Sequence, residues 1–298
     1  MRDFTPSLVL HCVVNSFLSY ATVMLNIVLI FALRRTSSLP KTLKVLILSV
    51  AVSDIGVGLL VQPLYIARLI MDMKNTNNQE THNEIVKVIG RTLANVSFFG
   101  VTTISVDRFL AIHLHLKHQD LLTYQEIVTY KRVVATVILS WLLSASLALT
   151  EVLSSEHGSN LVGVSVVLVC LFTMGLIYFK ISTVVRRHTV QVHAQPAQAV
   201  APNEENRSNF ERLRKTAVGT FYVYLLFLAC YLPIAIVILT GRKRNKKRRH
   251  LMIYARTLLY LSSSLVPLVY CWKFRHIRCA VKNILRDIFA SQNQIQEG

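Results

Sequence analysis

Seven apolar segments divide this chain, each long enough to cross a bilayer, and they leave little room for any fold other than a bundle of spanning helices. Val13–Leu33, Val133–Thr150, Leu161–Phe179 and Phe221–Leu239 run without a charge for about 20 residues each, and a helix of ~20 residues at ~1.5 Å per residue covers the ~30 Å hydrocarbon core. Only helices satisfy every backbone group over such a run without closing a barrel. Val45–Ile70, Ile85–Ile112 and Leu251–Trp272 have comparable length but contain isolated charges, the mark of spans that line an interior. Composition agrees, with 53% hydrophobic residues, 16% charged and a mean hydropathy of +0.46. These residues predict an all-α membrane protein, a seven-transmembrane helix bundle. Residues 1–7 form a short extracellular N-terminus, 8–272 the bundle and 273–298 an amphipathic helix and cytoplasmic tail. Span one is expected to insert as its own signal anchor.

The formal charge of +18 does not indicate nucleic acid, because the basic residues sit between spans and follow membrane topology. Arg34, Arg35, Lys41 and Lys44 surround the first connection, Lys117, Lys131 and Arg132 the third, and Arg186, Arg187, Arg207, Arg212, Arg214 and Lys215 the fifth. Odd connections therefore face the cytoplasm and the N-terminus faces out. Arg242–Arg249, between spans six and seven, runs against this tendency. The five cysteines lie in spans or in the basic tail, so no structural disulfide is expected. The connection His188–Asn209 reads as a flexible loop, and that between spans four and five as about Ser154–Asn160. After span seven, Phe274, Ile277, Val281, Ile284, Leu285 and Ile288 recur at helical spacing, with Arg275, Arg278, Lys282 and Arg286 elsewhere. That pattern predicts an amphipathic helix lying flat on the anionic inner leaflet.

Chemistry concentrates at a few intramembrane polar positions. Asp107-Arg108-Phe109 stands at the inner end of span three, a costly pair at a membrane edge. Ser97 and Arg108 are expected to face inward together, and Arg91, ~25 Å farther out along the axis, to share their face. Asp54 lies in the middle of span two. Span six carries Phe227, Cys230, Tyr231 and Pro233, and span seven Pro267 and Tyr270. Each proline frees a carbonyl and permits a hinge. His113, His115 and His118 read as a solvated or headgroup-facing patch rather than a metal site.

Asn26, Leu46, Asp54, Asp107-Arg108-Phe109, Trp141, Cys230-Tyr231-Leu232-Pro233 and Pro267-Leu268-Val269-Tyr270 occur in order at fitting depths. Together they resemble the rhodopsin-like (class A) G-protein-coupled receptors over about Leu8 to Phe289. The resemblance implies that Arg108 meets a heterotrimeric G protein on activation and that Asp107 restrains it at rest. It implies a sodium pocket at Asp54 and Ser97, a toggle at Tyr231 above Phe227, and an inward swing of Tyr270 beside Pro267. No other cofactor is implied. Leu213 takes the place of an acidic residue that pairs with the span-three arginine in many relatives, so measurable basal activity is expected.

The chain departs from the pattern at Val266, where an asparagine is usual, and at Tyr231, where a tryptophan is usual. Asn83 and Cys170 replace a cysteine and a proline, which resembles the melanocortin branch with its adenosine and cannabinoid relatives. Gly90 stands at the amine-binding aspartate and Tyr260 at the retinal lysine, which argues against a monoamine receptor or an opsin.

Lys87, Arg91 and Arg256 lie in the outer thirds of their spans, where cations need neutralisation. Glu84, Asp72 and Glu151 could supply it. So could a small extracellular ligand, acidic or lipid-like, seated among Lys87, Gly90, Arg91, Tyr231, Arg256 and Tyr260. No clustered metal ligands or nucleophile elbow supports an enzyme. A channel or transporter is the alternative, since Asp54 and Arg91 could mark an ion path, but no repeat or paired broken helices accompany them.

Overall fold

The computed structural model describes residues 5–37, 39–74, 80–118, 128–153, 156–194, 204–240 and 246–296. Helix α1 is Thr5–Arg35. The second span is composite: α2 (Lys41–Gly56), a π-helical turn over Val57–Val61, then α3 (Gln62–Lys74). The remaining helices are α4 (Glu80–His118), α5 (Tyr130–Leu153), α6 (Glu156–Ala194), α7 (Glu204–Thr240), α8 (Lys246–Lys273) and α9 (Arg275–Gln296). The architecture is an all-α seven-span bundle followed by a separate helix. Among the described residues, six segments are long and apolar enough to cross a membrane. The seventh, α4, carries Lys87, Arg91, Asp107 and Arg108, and it packs against α2, α5, α6 and α7. Protein neighbours on so many sides allow polar groups that lipid would reject.

Two connections are shorter than the sequence pattern indicates. Helix α6 begins at Glu156 and continues to Ala194, and α7 begins at Glu204. Much of Ser154–Asn160 and of His188–Asn209 is therefore helical, because few of those residues break a helix once a neighbouring span has nucleated it. Pro196 and Pro202 fall outside the described residues, as do Arg242–Asn245 of the basic connection.

The π turn has a local cause. Pro63 has no amide hydrogen and its ring would crowd the carbonyl four residues back. The Gln62 N–H accordingly bonds the Val57 carbonyl, five residues back. The carbonyl of Gly58, which Pro63 cannot serve, accepts instead from Ser19 Oγ of α1 at 2.7 Å. A Cβ on Gly58 would lie 2.8 Å from Val23 Cγ2 and 3.0 Å from the Ser19 carbonyl. The span-one seam thus depends on this glycine.

Helix α9 uses its apolar stripe differently from the inner-leaflet reading. Phe274, Ile277, Ala280, Val281 and Ile284 pack into the bundle's main core, and Leu285 is exposed. Arg35 of α1 donates to Asp287 at 2.6 Å, a solvent-exposed pair. The helix is docked on the bundle, and only part of its stripe is left for lipid. Cys279 is exposed, off that stripe.

Candidate ligand and coupling sites

Arg108 and Asp107 are 2% and 4% exposed on the same turn of α4. Arg108 donates to Asp107 Oδ2 through Nε at 2.9 Å and through its terminal nitrogen as well. Two guanidinium N–H groups thus converge on a single carboxylate oxygen in a charge-assisted contact, and low local dielectric makes it costly to break one partner. Phe109 is half-buried and its ring stacks on His113 at 5.5 Å. His113 is exposed, as expected, but His115 is buried and lies parallel to Phe210 at 6.3 Å. A solvated patch does not describe His115: it is two residues on from His113, on the opposite side of the helix. The side chain of His118 lies outside the described residues.

Near this end the structure also joins α7 to α8 in a way the sequence does not announce. Lys273 Nζ sits 3.5 Å from the Tyr222 ring centroid and 3.6 Å from that of Trp272. The two rings meet edge to face at 5.3 Å. Beside them Phe274 presses so closely on Gly219 that a Cβ there would come within 2.8 Å. A lysine at a membrane edge reads as topology in sequence; only packing reveals that its charge is held between rings. Tyr270 is fully buried with its ring 5.7 Å from Phe274, and its hydroxyl has no partner. Pro267 is buried inside α8, and Pro233 lies half-buried inside α7.

In the middle of the bundle Asp54 is 1% exposed. Its Oδ1 accepts from Ser97 Oγ at 2.9 Å, and Ser97 also lies 2.8 Å from Ser53 Oγ. Oδ2 has no partner. Asn26 donates to the Ser263 carbonyl at 3.0 Å, and Trp141 to Ser49 Oγ at 3.1 Å, tying spans one to seven and four to two. Beside this layer Tyr231 and Phe227 stack nearly parallel at 5.2 Å, and Phe98 meets Tyr231 edge-on at 4.8 Å. All three rings are buried.

Above the rings lies a narrow pocket of about 10 Å³, bounded by Val57, Val61, Gly90, Ala94, Ser97, Tyr231, Leu259, Tyr260 and Ser263. Gly90, Ala94 and Ser97 make one line down α4, because steps of four and three residues return to the same face. Gly90, Tyr231 and Tyr260 are thus brought together as expected, with Ser97 beneath. Lys87, Arg91 and Arg256 are not among the bounding residues. Arg91 corrects the single inward line. Seventeen residues at ~3.6 per turn place it about 100° around α4 from Arg108, and it is half-buried where Ser97 and Arg108 are 2% exposed. Lys87 is half-buried as well, and the side chains of Asp72, Glu84 and Glu151 lie outside the described set.

Arg256 stands one turn from Tyr260, toward the Arg91 end. Its guanidinium carbon is 5.9 Å from the Tyr65 ring, and Tyr65 meets Tyr260 edge-on at 5.2 Å. Beside this, between spans one, two and seven, is a polar group the sequence reading missed. His11 Nδ1 is 3.1 Å from Thr257 Oγ1, and Asn15 Nδ2 donates to that same oxygen at 3.1 Å. Gln62 is fully buried on α3 with neither end of its amide partnered. Its only signal in sequence was polar residues in apolar spans, too common to single it out.

The model of the seven-transmembrane receptor family of rhodopsin type matches residues 25–160, the stretch holding Asn26, Asp54, Asp107-Arg108-Phe109 and Trp141. Over that stretch the chain is similar to the rhodopsin family of seven-transmembrane receptors. It is 23% identical to the adenosine receptor A3 of Canis lupus familiaris, over 91% of this chain and 88% of that protein. With the human adenosine receptor A2a it shares 23% over 90% of this chain and 70% of the relative. With human trace amine-associated receptor 2 it shares 25% over 91% and 81%. It is a multi-pass membrane receptor that couples a small-molecule ligand to G proteins, and it is not an enzyme. Nothing in these likenesses supports the channel or transporter alternative.

Proposed function

We propose that this receptor carries the signal of a small acidic ligand from outside the plasma membrane, with its N-terminus outside and its C-terminus in the cytoplasm. Ligand enters at the Arg91 end, and Lys87, Arg91, Arg256, Gly90, Tyr231 and Tyr260 form its surroundings. The observation that carries this reading is the double role of Tyr231: it bounds the pocket and is stacked on Phe227. A ligand that presses on Tyr231 therefore presses on the part of α7 that pivots at Pro233. Binding that favours the open arrangement shifts the population toward it. Opening at the other end frees Arg108 from Asp107 for a G protein, and Tyr270, with no partner for its hydroxyl, is available to rearrange beside Pro267. The adenosine named in two relatives is uncharged, and a trace amine would want a carboxylate where Gly90 stands. Cations around the mouth favour an anion over either.

Asp54 and Ser97 form the place for an allosteric sodium ion. A buried carboxylate oxygen without a partner, next to two serine hydroxyls, suits a small hard cation that takes oxygen ligands. Val266 withholds an oxygen that an asparagine would add. Sodium would supply a positive charge that neutralises Asp54 in the resting arrangement.

The decisive measurement is nucleotide exchange on a G protein co-reconstituted with the receptor in lipid nanodiscs, read across acidic candidate ligands. Ligand-dependent exchange that weakens in Arg91→Ala or Arg256→Ala supports the reading. If both variants keep the potency of the wild type, the ligand's acid is not what these residues bind.

A further inference from the structure

The hydrogen bonds around Thr257 fix where a buried histidine carries its proton. Thr257 Oγ1 has one hydrogen, given to the Ile253 carbonyl at 3.1 Å, so toward its other two neighbours it can only accept. Asn15 Nδ2 donates to it at 3.1 Å, and His11 Nδ1, also at 3.1 Å, must be the second donor. The remaining ring nitrogen, Nε2, is buried without a partner. Left as a lone pair it costs one unmade hydrogen bond; a proton on it would add an unpaired buried charge, which costs far more. The closed seam therefore holds His11, 4% exposed, as the neutral imidazole with its hydrogen on Nδ1. Asn15 spends its second N–H on the His11 carbonyl at 2.7 Å, so its Oδ1 can only accept.

The groups facing His11 offer a positive charge no counter-ion. On α1 they are Cys12 and Asn15. On α8, Tyr254 meets the imidazole edge-on at 4.5 Å, with His250 one turn beyond it. On span two, Gln62 shares the layer of Asn15, since each lies four residues from the Gly58–Ser19 contact on antiparallel helices. Tyr65 follows one turn on, with the Arg256 guanidinium 5.9 Å from its ring and Arg68 beyond it in sequence. Leu8, Leu69 and Ile253 close an apolar wall beside Tyr65. Among these described residues there is no carboxylate.

We propose that His11 is a proton-operated switch in the seam between spans one, two and seven: acid places a proton on Nε2, and the closed seam gives way to an arrangement in which the imidazolium reaches water. The inference stands apart from the acidic-ligand reading. Both forms of the ring can donate from Nδ1 to Thr257, so Nε2 alone separates them. Thr257 is the shared node, because it accepts from His11 and Asn15 together; a ring that leaves it loosens span one from span seven. Thr257 also adjoins Arg256 in sequence, which carries the change to the surroundings of the pocket. The sign follows from proton counting. The open arrangement binds more protons than the closed one, so the closed seam gains from rising pH and loses as pH falls. With a neutral ring in the closed seam and an ordinary titration near pH ~6.5 once it opens, the closed arrangement weakens about tenfold between about pH 7.5 and about pH 5.5.

The test uses the full chain in lipid nanodiscs, free of ligand, with the melting midpoint read across that pH range. The midpoint of the wild type should fall on acidification by about 2–4 °C more than that of His11→Asn, whose amide nitrogen can donate to Thr257 in place of Nδ1 but does not titrate. His11→Gln removes the same titration and serves where His11→Asn does not fold. His250→Gln, one turn beyond Tyr254, should keep the slope of the wild type. The nitrogen-15 spectrum of labelled histidine gives a second readout that does not depend on melting: the signal absent from the His11 variant should show the Nδ1-protonated neutral ring at about pH 7.5 and imidazolium on acidification. If the His11 variants keep the full acid slope, or if His250→Gln abolishes it, His11 is not the switch. An Nε2-protonated ring or an imidazolium at the higher pH would overturn the count at Thr257 and the switch with it.

Discussion

The two ends of this bundle handle polar groups in opposite ways. At the Arg108 end charges find partners within the protein: Arg108 donates twice to one oxygen of Asp107, Arg35 reaches Asp287, and Lys273 is boxed by Tyr222 and Trp272. At the Arg91 end, buried polar atoms are left over: His11 Nε2, Asn15 Oδ1 and both ends of Gln62 have no partner. An end whose charges are paired can be held in one arrangement until something displaces it, even though the Tyr270 hydroxyl there has no partner. An end that does not satisfy itself is suited to completion from outside. The difference separates an output that is switched from an input that is filled.

The sharpest way to break this contrast is Asp107→Ala. It leaves Arg108 charged and buried, a change worth roughly 3–5 kcal/mol against the closed arrangement. The open arrangement relieves it, so ligand-free nucleotide exchange should rise by about tenfold or more. A silent variant of normal abundance would mean that the pair does not hold the closed state.

Next in size is Gly58→Ala at the seam of spans one and two. The added Cβ meets the Ser19 backbone carbonyl at 3.0 Å, which cannot rotate away. Destabilisation of about 1–3 kcal/mol is expected, read as a lower melting midpoint in detergent. Gly56→Ala is the control, since its new Cβ meets only the side-chain end of Leu93, at 2.9 Å. Equal losses in both would show that the seam is softer than the Gly58 contact implies.

Lys273→Met tests the aromatic box. Leu213 removes one restraint on span six and by itself argues for basal activity, but the Lys273–Tyr222 contact at 3.5 Å supplies another restraint between spans six and seven. A cation–π contact of ~0.5–1 kcal/mol predicts that basal exchange rises by roughly two- to fivefold in Lys273→Met, measured against an Arg108→Ala control. No change would leave Phe274 against Gly219 as the contact that holds those spans.

What the chain disclosed before its structure follows a physical division. Span lengths and Asp107-Arg108 were legible because each is a local departure from background: apolar runs in a charged chain, charges in an apolar run. Asp54 with Ser97 was legible for the same reason. Arg91 was misplaced, since its position along α4 was right and its direction around the helix was not. The group of His11, Asn15 and Thr257 requires spans one and seven to meet, and no spacing in sequence records that. Lys273 looked like an ordinary topological charge because the rings that hold it belong partly to another helix.

The remaining effect has the opposite sign and tests the Arg91 end directly. A buried amide with no hydrogen-bond partner costs on the order of 1–3 kcal/mol, and Gln62 is fully buried with both ends in that condition. Leucine has a similar volume and no polar atoms to satisfy. Gln62→Leu should therefore stabilise the ligand-free receptor, raising its melting midpoint by about 2–4 °C, while the substitutions above either destabilise the fold or release the closed state. Helical phase adds a second constraint: Gln62 and Asn15 each lie four residues outward from the Gly58–Ser19 contact on antiparallel helices, so they occupy one layer. If their amides are an unrelieved cost, Asn15→Leu in the Gln62→Leu background should give less than the first substitution did, because Asn15 still donates to His11 and Thr257. A lower midpoint for Gln62→Leu alone would mean that the amide is satisfied within the membrane, and the contrast between the two ends would then fall.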